Sequence, residues 1–194
     1  MNFPTEVSER FEQAMQAAKA AGEPEPTAMS LATALPTGKV SVRTMLLKDF
    51  DATGFVFYTN TLSNKGRQLG ENPHAALCFI WKSIFQQVLV EGSVEPVTAA
   101  EADAYFASRP RGSQIGAWAS LQSGQLDSRD TLERRVAEYE QKFSGMDVPR
   151  PPHWSGYRVL PQMIEFWYGM ESRLHDRFRF TLTNGEWVRN RLYP

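Results

Sequence analysis

Cysteine is nearly absent from this sequence: Cys78 is the only one in 194 residues. A single thiol excludes a disulfide framework within the chain and a zinc site built on cysteines. Its apolar surroundings, HAALCFIW, predict a buried core position. No apolar run approaches membrane-spanning length, and the first residues, MNFPTEVSERFEQAM, lack the apolar core of a signal peptide. We therefore expect a cytoplasmic protein.

An excess of charge of either sign is also missing. The net charge is -1, and the chain contains no basic tract, which argues against general binding to nucleic acid or to a membrane surface. Any anion site must therefore be local. The sequence contains no G-x-G-x-x-G, Walker A, H-E-x-x-H or G-x-S-x-G motif. Its three histidines lack the spacing of metal ligands, so we predict no metal site.

What the chain does contain is a series of strands in hairpin order, with helices set between them. An N-terminal helix is predicted at about 5–21. Further helices are predicted at 63–73, 98–110, 111–120 and 127–143, and strands at 27–35, 39–50, 54–60, 74–81, 86–97, 156–169, 173–182 and 186–193. The strand at 156–169 is expected to bend at Pro161. This pattern predicts an α+β fold on an antiparallel sheet or barrel, forming a single domain over residues 1–194.

The C-terminal stretch ESRLHDRFRF carries unusual positive charge. Read as a strand, it puts four basic side chains on one face, with no acid on that face: Arg173, His175, Arg177 and Arg179. A solvated sheet face is the ordinary explanation for such alternation. The aromatic run IEFWYG just before it favours a second explanation, a flat anionic ligand held against a hydrophobic wall.

Basic and hydroxyl residues also gather at the ends of elements. Arg43 and Lys48 are five residues apart, so they face opposite sides of a regular strand and serve either two anions or none. Two phosphate cradles are candidates: one around the start of the helix at 63–73, and one around the turn at SRPRGS. Their residues are Tyr58, Thr59, Ser63 and Lys65 in the first, and Tyr105, Arg109, Arg111 and Ser113 in the second. Taken singly, a capped helix and a solvated turn explain each of them.

Amide side chains complete the set. Gln86 and Gln87 begin a hydrophobic strand and face opposite ways, so one is expected to point inward and to need partners, which a heteroaromatic ring supplies. Gln122 and Ser123, in the stretch SLQSGQ, are either ligand contacts or ordinary loop residues.

Eight segments in order resemble the pyridoxine (pyridoxamine) 5′-phosphate oxidase family. They are EPTAMSLAT, RTMLLKDFD, GFVFYTN, NPHAALCFIW, QQVLVEG, YFASRPRGSQIGAWAS, IEFWYG and RLHDRF, and they cover residues 25–194 nearly end to end. The resemblance implies an antiparallel FMN-binding split β-barrel with flanking helices. It also implies a homodimer whose active sites are shared between the subunits. The implied reaction oxidises pyridoxamine or pyridoxine 5′-phosphate to pyridoxal 5′-phosphate, with O2 reduced to H2O2.

The resemblance also implies roles for individual residues. The residues expected to bind FMN are Arg43, Lys48, Tyr58, Thr59, Lys65, Gln87, Gln122, Ser123, Trp167 and Arg177. The residues expected to bind substrate are Lys48, Tyr105, Arg109, Ser113, Arg173 and His175, of which Arg173 and His175 are the catalytic candidates.

Two departures from the family pattern stand out. The family often has Ser-Arg-Lys where this chain has Ser63-Asn64-Lys65, so one cation near the FMN phosphate is missing. Only a few residues precede the first helix, where many members carry a longer basic segment. Two alternative functions remain at this point: a flavin oxidase of the same barrel that acts on phenazine precursors, and a non-catalytic carrier of flavin or pyridoxal phosphate.

Overall fold

The computed structural model describes residues 2–194, which form five α-helices and nine β-strands. The strands are β1 (Ala28–Ala34), β2 (Val40–Leu46), β3 (Asp49–Asp51), β4 (Gly54–Asn60), β5 (His74–Trp81), β6 (Gln86–Pro96), β7 (Trp154–Tyr168), β8 (Asp176–Thr183) and β9 (Glu186–Leu192). The helices are α1 (Thr5–Ala20), α2 (Asn64–Glu71), α3 (Ala99–Ser108), α4 (Arg111–Ala119) and α5 (Arg129–Lys142). Element types and order agree with the predicted ones, except that the strand predicted at 39–50 is divided into β2 and β3 and that β8 begins at Asp176 rather than at residue 173.

All nine strands belong to one antiparallel sheet. Seven of them follow the order β2-β1-β5-β6-β7-β4-β3, and β8 and β9 extend from β7 outside this order. The long strand β7 pairs with β6 along one edge, and its other edge is divided between two strands. Its first half pairs with β4, and its second half pairs with β8, which in turn pairs with β9. This division of β7 separates the sheet into two parts that meet along one strand.

The predicted bend at Pro161 is present as a break in strand register. Glu91 pairs with Met163 but the next residue, Gly92, pairs with Pro161, which leaves Gln162 as the extra residue of a β-bulge. Proline cannot donate to the ladder, so a bulge is the arrangement that tolerates it inside a sheet. A side chain at Gly92 would lie 2.0 Å from the Leu160 carbonyl oxygen, so only glycine fits there.

The main core lies between α1 and the sheet. Phe11 of α1 is fully buried, with ring centroids 4.7–5.8 Å from four aromatic neighbours, Phe50, Phe55, Phe79 and Trp81. Replacing such a residue by alanine costs about 3–5 kcal/mol. This contact fixes the N-terminal helix on the barrel, as its apolar spacing predicts.

A second, smaller core forms where α3, α4 and α5 cover the start of β7. Phe106, Ile115, Phe143 and Trp154 are buried in it. A capping box begins α3: the Thr98 hydroxyl accepts from the backbone N–H of Glu101, and the Glu101 carboxylate accepts from the backbone N–H of Thr98. No helix within residues 2–194 combines the length and hydropathy needed to cross a membrane.

Candidate active site

Lys65 lies at the centre of the first group of polar residues. It is in the first turn of α2, which Ser63 caps, and it is only 7% exposed. Its Nζ donates to the hydroxyls of Thr59 and Ser63 and to the amide oxygen of Gln122, each at 3.2 Å. All three partners are neutral, so the buried ammonium has no carboxylate partner among the described residues.

Arg43 supplies a second uncompensated cation beside Lys65. Its Nη1 donates to the Thr33 hydroxyl at 2.7 Å and to the Leu31 carbonyl at 3.1 Å, and its Nη2 donates to the Gln68 amide oxygen at 3.2 Å. Burial lowers the pKa of Arg43, and burial together with the nearby charge of Arg43 lowers the pKa of Lys65. A buried ammonium and a half-buried guanidinium, with the charge of Arg43 acting against that of Lys65, form a site that an anion would stabilise.

A loop after α4 completes this group. The backbone N–H of Asn64 donates to the Ser123 hydroxyl at 3.2 Å, and Ser123 has a positive φ of 71°. A cavity of about 450 Å³ opens here. Four polar residues that line it, together with Thr59, which hydrogen-bonds to two of them, form what we call the helix-α2 cluster: Arg43, Thr59, Lys65, Gln122 and Ser123.

Three parallel rings lie next to the helix-α2 cluster. Tyr58 stacks on Tyr105 at 4.1 Å and on Trp154 at 5.3 Å between centroids, and we call these three rings the aromatic stack. Gly156 pairs with Tyr58 on the adjacent strand. A Cβ at Gly156 would come within 2.7 Å of two ring carbons of Tyr58, so the stack depends on the absence of a side chain there.

Arg109 contacts the aromatic stack from the turn between α3 and α4. Its Cζ lies 4.8 Å from the Trp154 ring centroid, and its Nη1 is buried without a hydrogen-bond partner among the described residues. Burial lowers the pKa of Arg109. A buried guanidinium nitrogen is costly to leave unpaired, so this geometry fits a bound anion.

A cavity of about 340 Å³ lies in front of Arg109 and is lined by Tyr58, Thr59, Arg109, Ser113 and Gln122 among others. Met45 and Gln122 line both this cavity and the one at the helix-α2 cluster, so the two adjoin. Arg111 is not part of them. Its guanidinium donates to the carbonyls of Phe143 and Met146, so it holds the end of α5 instead. Lys48 follows β2, is exposed, and lines neither cavity.

Another set of predicted residues lies on the part of the sheet formed by β6, β7 and β8. Gln87 pairs with Trp167, and Trp167 pairs with Arg177, so the three form one row across adjacent strands. We call it the strand row. His175 joins it, with its ring 4.5 Å from that of Trp167. The His175 Nδ1 accepts from the Met170 backbone N–H at 3.1 Å, which leaves the proton of a neutral ring on Nε2.

The prediction that Arg173 and His175 lie on a strand with Arg177 is wrong. Residues Glu171–Arg173 form a 3₁₀ turn, Ser172 and Arg173 have positive φ angles of 55° and 62°, and β8 begins only at Asp176. The chain reverses direction here because Asp176 pairs back with Tyr168, the last residue of β7. The alternation of faces therefore applies from Asp176 onward only.

The prediction that no acid faces the arginines is also wrong. Glu165 of β7 is 1% exposed, and its two carboxylate oxygens each bind one arginine, Arg177 at 2.7 Å and Arg179 at 2.8 Å. The acid comes from the neighbouring strand, where Glu165 pairs directly with Arg179. The one available signal was a glutamate within the apolar run QMIEFW.

The strand row and the helix-α2 cluster lie at different ends of β7. Thr59 pairs with Ser155 near its start, and Trp167 is twelve residues further along it. At about 3.3 Å per residue this is a path of about 40 Å along the strand. The two groups of predicted cofactor residues are therefore not brought together along this strand.

Comparison with known proteins identifies the family. A profile described as pyridoxamine 5′-phosphate oxidase matches residues 12–143, and one described as pyridoxine 5′-phosphate oxidase C-terminal dimerisation region matches residues 154–194. The pyridoxine/pyridoxamine 5′-phosphate oxidase of Myxococcus xanthus is 57% identical over 99% of this chain and 93% of its own length. That of Brucella canis is 57% identical over 88% of this chain and 85% of its own length.

Solved structures agree with this assignment. PhzG from Burkholderia lata, solved with tetrahydrophenazine-1-carboxylic acid, superimposes with a TM-score of 0.93 at 32% identity, covering 98% of this chain and 94% of its own. A pyridoxamine 5′-phosphate oxidase-related, FMN-binding protein of Nostoc punctiforme has a TM-score of 0.80 at 15% identity, with both chains covered in full. The predicted antiparallel split-barrel fold is confirmed. The chain belongs to the pyridoxamine 5′-phosphate oxidase family.

Proposed function

We propose that this chain oxidises pyridoxamine 5′-phosphate and pyridoxine 5′-phosphate to pyridoxal 5′-phosphate, with FMN as cofactor and O2 as the final oxidant. The relatives at 57% identity carry this name. The observation that carries the proposal is a pair of adjoining cavities lined by cations that have no acid partner within residues 2–194: Arg43 and Lys65 in one cavity, and Arg109 in the other. Two phosphate-bearing molecules bound side by side need such a pair.

Arg43 and Lys65 would hold the FMN phosphate. Their present partners are neutral hydroxyl, amide and carbonyl oxygens. A phosphate placed between them would offset the desolvation that lowers both pKa values. Gln122 and Ser123 would close the site from the loop after α4, with Thr59 beneath.

Arg109 would hold the substrate phosphate, with Ser113 as a second donor from the first turn of α4. Helix N-termini favour anions, since their first N–H groups are free. Tyr105 lies beside this cavity through its stacking on Tyr58. Lys48 is exposed and lines neither cavity, and we propose that it contributes positive charge from outside them.

The strand row would contact the flavin ring, and the turn beside it would contact the substrate. Trp167 offers a flat apolar surface, Gln87 an amide for a ring edge, and Arg177 a positive charge for the ring oxygens. Arg173 and His175 would orient the substrate over the flavin and exclude water from the reacting carbon. His175 would donate from Nε2, because Nδ1 is occupied by the Met170 N–H.

Each active site would be built from two subunits. The C-terminal region matches a dimerisation region, and the helix-α2 cluster lies far along β7 from the strand row. In a symmetric dimer, the strand row of one subunit can face the helix-α2 cluster of the other. Two equivalent sites would then form, each with both halves.

FMN, when bound, would supply the two-electron oxidation at C4′ of the substrate, with O2 reduced to H2O2; the amine substrate would also take up water and release ammonia to give the aldehyde. The residues of this chain hold and orient the reactants so that C4′ lies close to the ring atom that accepts hydrogen. Their fixed charges stabilise the charge that develops during transfer.

The test is direct. The purified protein should carry FMN that runs as FMN, and not as FAD, on chromatography. It should form H2O2 and pyridoxal 5′-phosphate in equal amounts from pyridoxamine 5′-phosphate. A protein that binds FMN but forms no peroxide with either phosphorylated substrate would be a carrier, and the proposal would be wrong.

A phenazine-type oxidase is the second candidate, since PhzG is similar over nearly the whole chain. The relatives named pyridoxine/pyridoxamine 5′-phosphate oxidase are 57% identical to this chain and PhzG is 32% identical, which favours the phosphorylated substrate. The two functions separate in one assay that compares peroxide formation from pyridoxamine 5′-phosphate and from tetrahydrophenazine-1-carboxylic acid. Preference for the second compound would reverse the assignment.

A further inference from the structure

Glu165 is a buried carboxylate to which neither the fold nor the proposed chemistry gives a role. It lies on β7 between Ile164 and Phe166, whose side chains point into the main core. Glu165 points to the opposite face, which it shares with Trp167 of the strand row. An acid at 1% exposure needs strong partners, and its partners are the guanidinium groups of Arg177 and Arg179.

The contacts fix the orientation of Arg177. Its Nε and Nη2 both contact Glu165 Oε1, at 2.8 and 2.7 Å, and its Nη1 donates to the Tyr193 carbonyl at 3.0 Å. A guanidinium carries five N–H donors in one plane. One proton on each terminal nitrogen is therefore left over. These two protons point in directions that Glu165 and Tyr193 determine.

Arg179 has a different position in the same group. It binds Glu165 Oε2 through Nε and Nη2, at 3.0 and 2.8 Å. It pairs directly with Glu165, one step further from the strand row than Arg177. One carboxylate and two guanidinium groups leave a net charge of one positive unit, which the two arginines share around Glu165.

We propose that Glu165 is a positioning residue for FMN binding: it orients the guanidinium of Arg177 so that its two remaining N–H groups face the flavin. This inference rests on the proposed function, which assigns Arg177 to FMN. Glu165 itself would make no contact with the cofactor. Its negative charge would even oppose an anionic ligand, and orientation outweighs that repulsion.

The direction in which FMN affinity changes shows whether Glu165 acts by orienting Arg177 or only through its negative charge. If only charge mattered, Glu165→Gln would tighten FMN, because the group becomes more positive, and Arg179→Gln would weaken it. If Glu165 acts by orienting Arg177, Glu165→Gln should weaken FMN binding more than Arg179→Gln does. Glu165→Gln frees Arg177 and weakens FMN, whereas Arg179→Gln leaves the contact between Glu165 and Arg177 in place.

The experiment is an FMN titration of the apoprotein, followed by quenching of flavin fluorescence, with the apoprotein melting temperature as the control for folding. The central variant is Glu165→Gln combined with Arg179→Gln, compared with Arg179→Gln alone. The double variant keeps the net charge of +1 that Glu165, Arg177 and Arg179 carry together. It also does not leave two partly buried arginines without an acid. It therefore remains useful if Glu165→Gln alone does not fold. Glu165→Asp tests rescue by a carboxylate that is one methylene shorter.

We expect Arg179→Gln to bind FMN within about threefold of the native protein, and the double variant to bind about tenfold more weakly, as for the loss of a hydrogen bond to a charged group. Glu165→Asp should recover part of that loss. In an Arg177→Gln background, Glu165→Gln should add no further loss, because it acts through Arg177.

Three results would overturn the inference: tighter FMN binding in Glu165→Gln, unchanged binding in the double variant, or an equal loss in the Arg177→Gln background. The proposed function fails in a distinguishable way. If Arg177→Gln itself leaves FMN affinity unchanged, the assignment of Arg177 is wrong and the role of Glu165 is wrong with it. If Arg177→Gln weakens FMN and the double variant does not, only the positioning role is wrong.

Discussion

Arg109 lies over the ring of Trp154, with 4.8 Å between its Cζ and the ring centroid, and its Nη1 has no hydrogen-bond partner among the described residues. The aromatic face offsets part of the cost of burying the charge. It does not supply an acceptor for the N–H groups. The arginine is thus held in place before a ligand arrives, with donors available to a phosphate.

Arg109→Ala should therefore discriminate between substrates. It should raise the KM for pyridoxamine 5′-phosphate by a factor that corresponds to about 1.5–3 kcal/mol, the range for hydrogen bonds to charged groups. Unphosphorylated pyridoxamine should be a poor substrate of both proteins, with little difference between them. The measurement is steady-state kinetics on both compounds. Arg111→Gln, which removes a nearby charge outside the cavity, is the matched control and should leave both KM values unchanged. Equal losses on both compounds would make Arg109 structural.

FMN affinity should fall as the pH rises into the alkaline range. Burial and Arg43 lower the pKa of Lys65, so the apoprotein loses this charge at a lower pH than an exposed lysine does. A bound phosphate favours the charged form, so binding takes up a proton there and weakens with increasing pH. Titrations of the apoprotein with FMN from about pH 7 to about pH 10 test this prediction, since an ordinary lysine titrates near 10.4.

The control for this effect is Lys65→Arg, because arginine does not titrate in this range, and its affinity should depend less on pH. The stability of the apoprotein should change with pH in the opposite direction to its FMN affinity. In the same window its folded chain binds fewer protons at Lys65 than the unfolded chain does, so its free energy of unfolding should rise with pH at this group. A pH profile of FMN affinity that is identical in the two proteins would assign the dependence to another group.

Asn64→Arg should tighten FMN binding slightly. Asn64 is exposed at the edge of the helix-α2 cluster, where the family often has an arginine. Solvent screening limits the gain to about 1 kcal/mol or less. Asn64→Gln lengthens the side chain without adding charge and should leave the affinity unchanged. The comparison uses the dissociation constants of the three apoproteins. Equal affinity in the arginine and glutamine variants would show that a neighbouring cation, such as Arg67, already fills this role.

Mixed dimers should test the shared site. Arg43→Ala damages the helix-α2 cluster, and Arg177→Ala damages the strand row, so each variant alone should be nearly inactive without added FMN. In a dimer that contains one copy of each, one site receives both damaged halves and the other receives both intact halves. Random mixing should thus restore about one quarter of native activity, as expected for a two-fold symmetric dimer. Mixtures as inactive as their parents would place each site within one chain.

Much of the fold could be predicted because local patterns determine it. The alternation in β5 and β6, the capping box at Thr98 and the turn at Asn184-Gly185, where φ is 52° and 85°, all follow from short-range chemistry. The bend at Pro161 was predicted for the same reason, since proline cannot donate to a sheet. The split of β7 between two partners was not derivable from the pattern alone, because strand pairing depends on long-range contacts.

The site was predictable to a lesser degree. Residue types and the family resemblance pointed to Arg43, Lys65 and Arg109, and the cavities contain all three. The environment of Arg177 was missed because its acid, Glu165, comes from the adjacent strand. The turn before β8 was missed because RLHDRFRF alternates like a strand throughout, while pairing with β7 begins only at Asp176. The register between β7 and β8 determines both the acid partner of Arg177 and the residue at which β8 begins. This register cannot be read from a single sequence.

Gly156 lies against the Tyr58 ring of the aromatic stack and lines neither cavity, yet any larger residue there would displace that ring. The position of the Tyr58 ring shapes the cavity in front of Arg109. That position therefore depends on Gly156, a residue that does not line the cavity itself. Anyone who wishes to reshape this enzyme for a bulkier ring should leave Gly156 alone and vary the front wall, at Met45 or Ser120. A mutational library that covers only ligand contacts would overlook this position, where an added side chain would displace the Tyr58 ring.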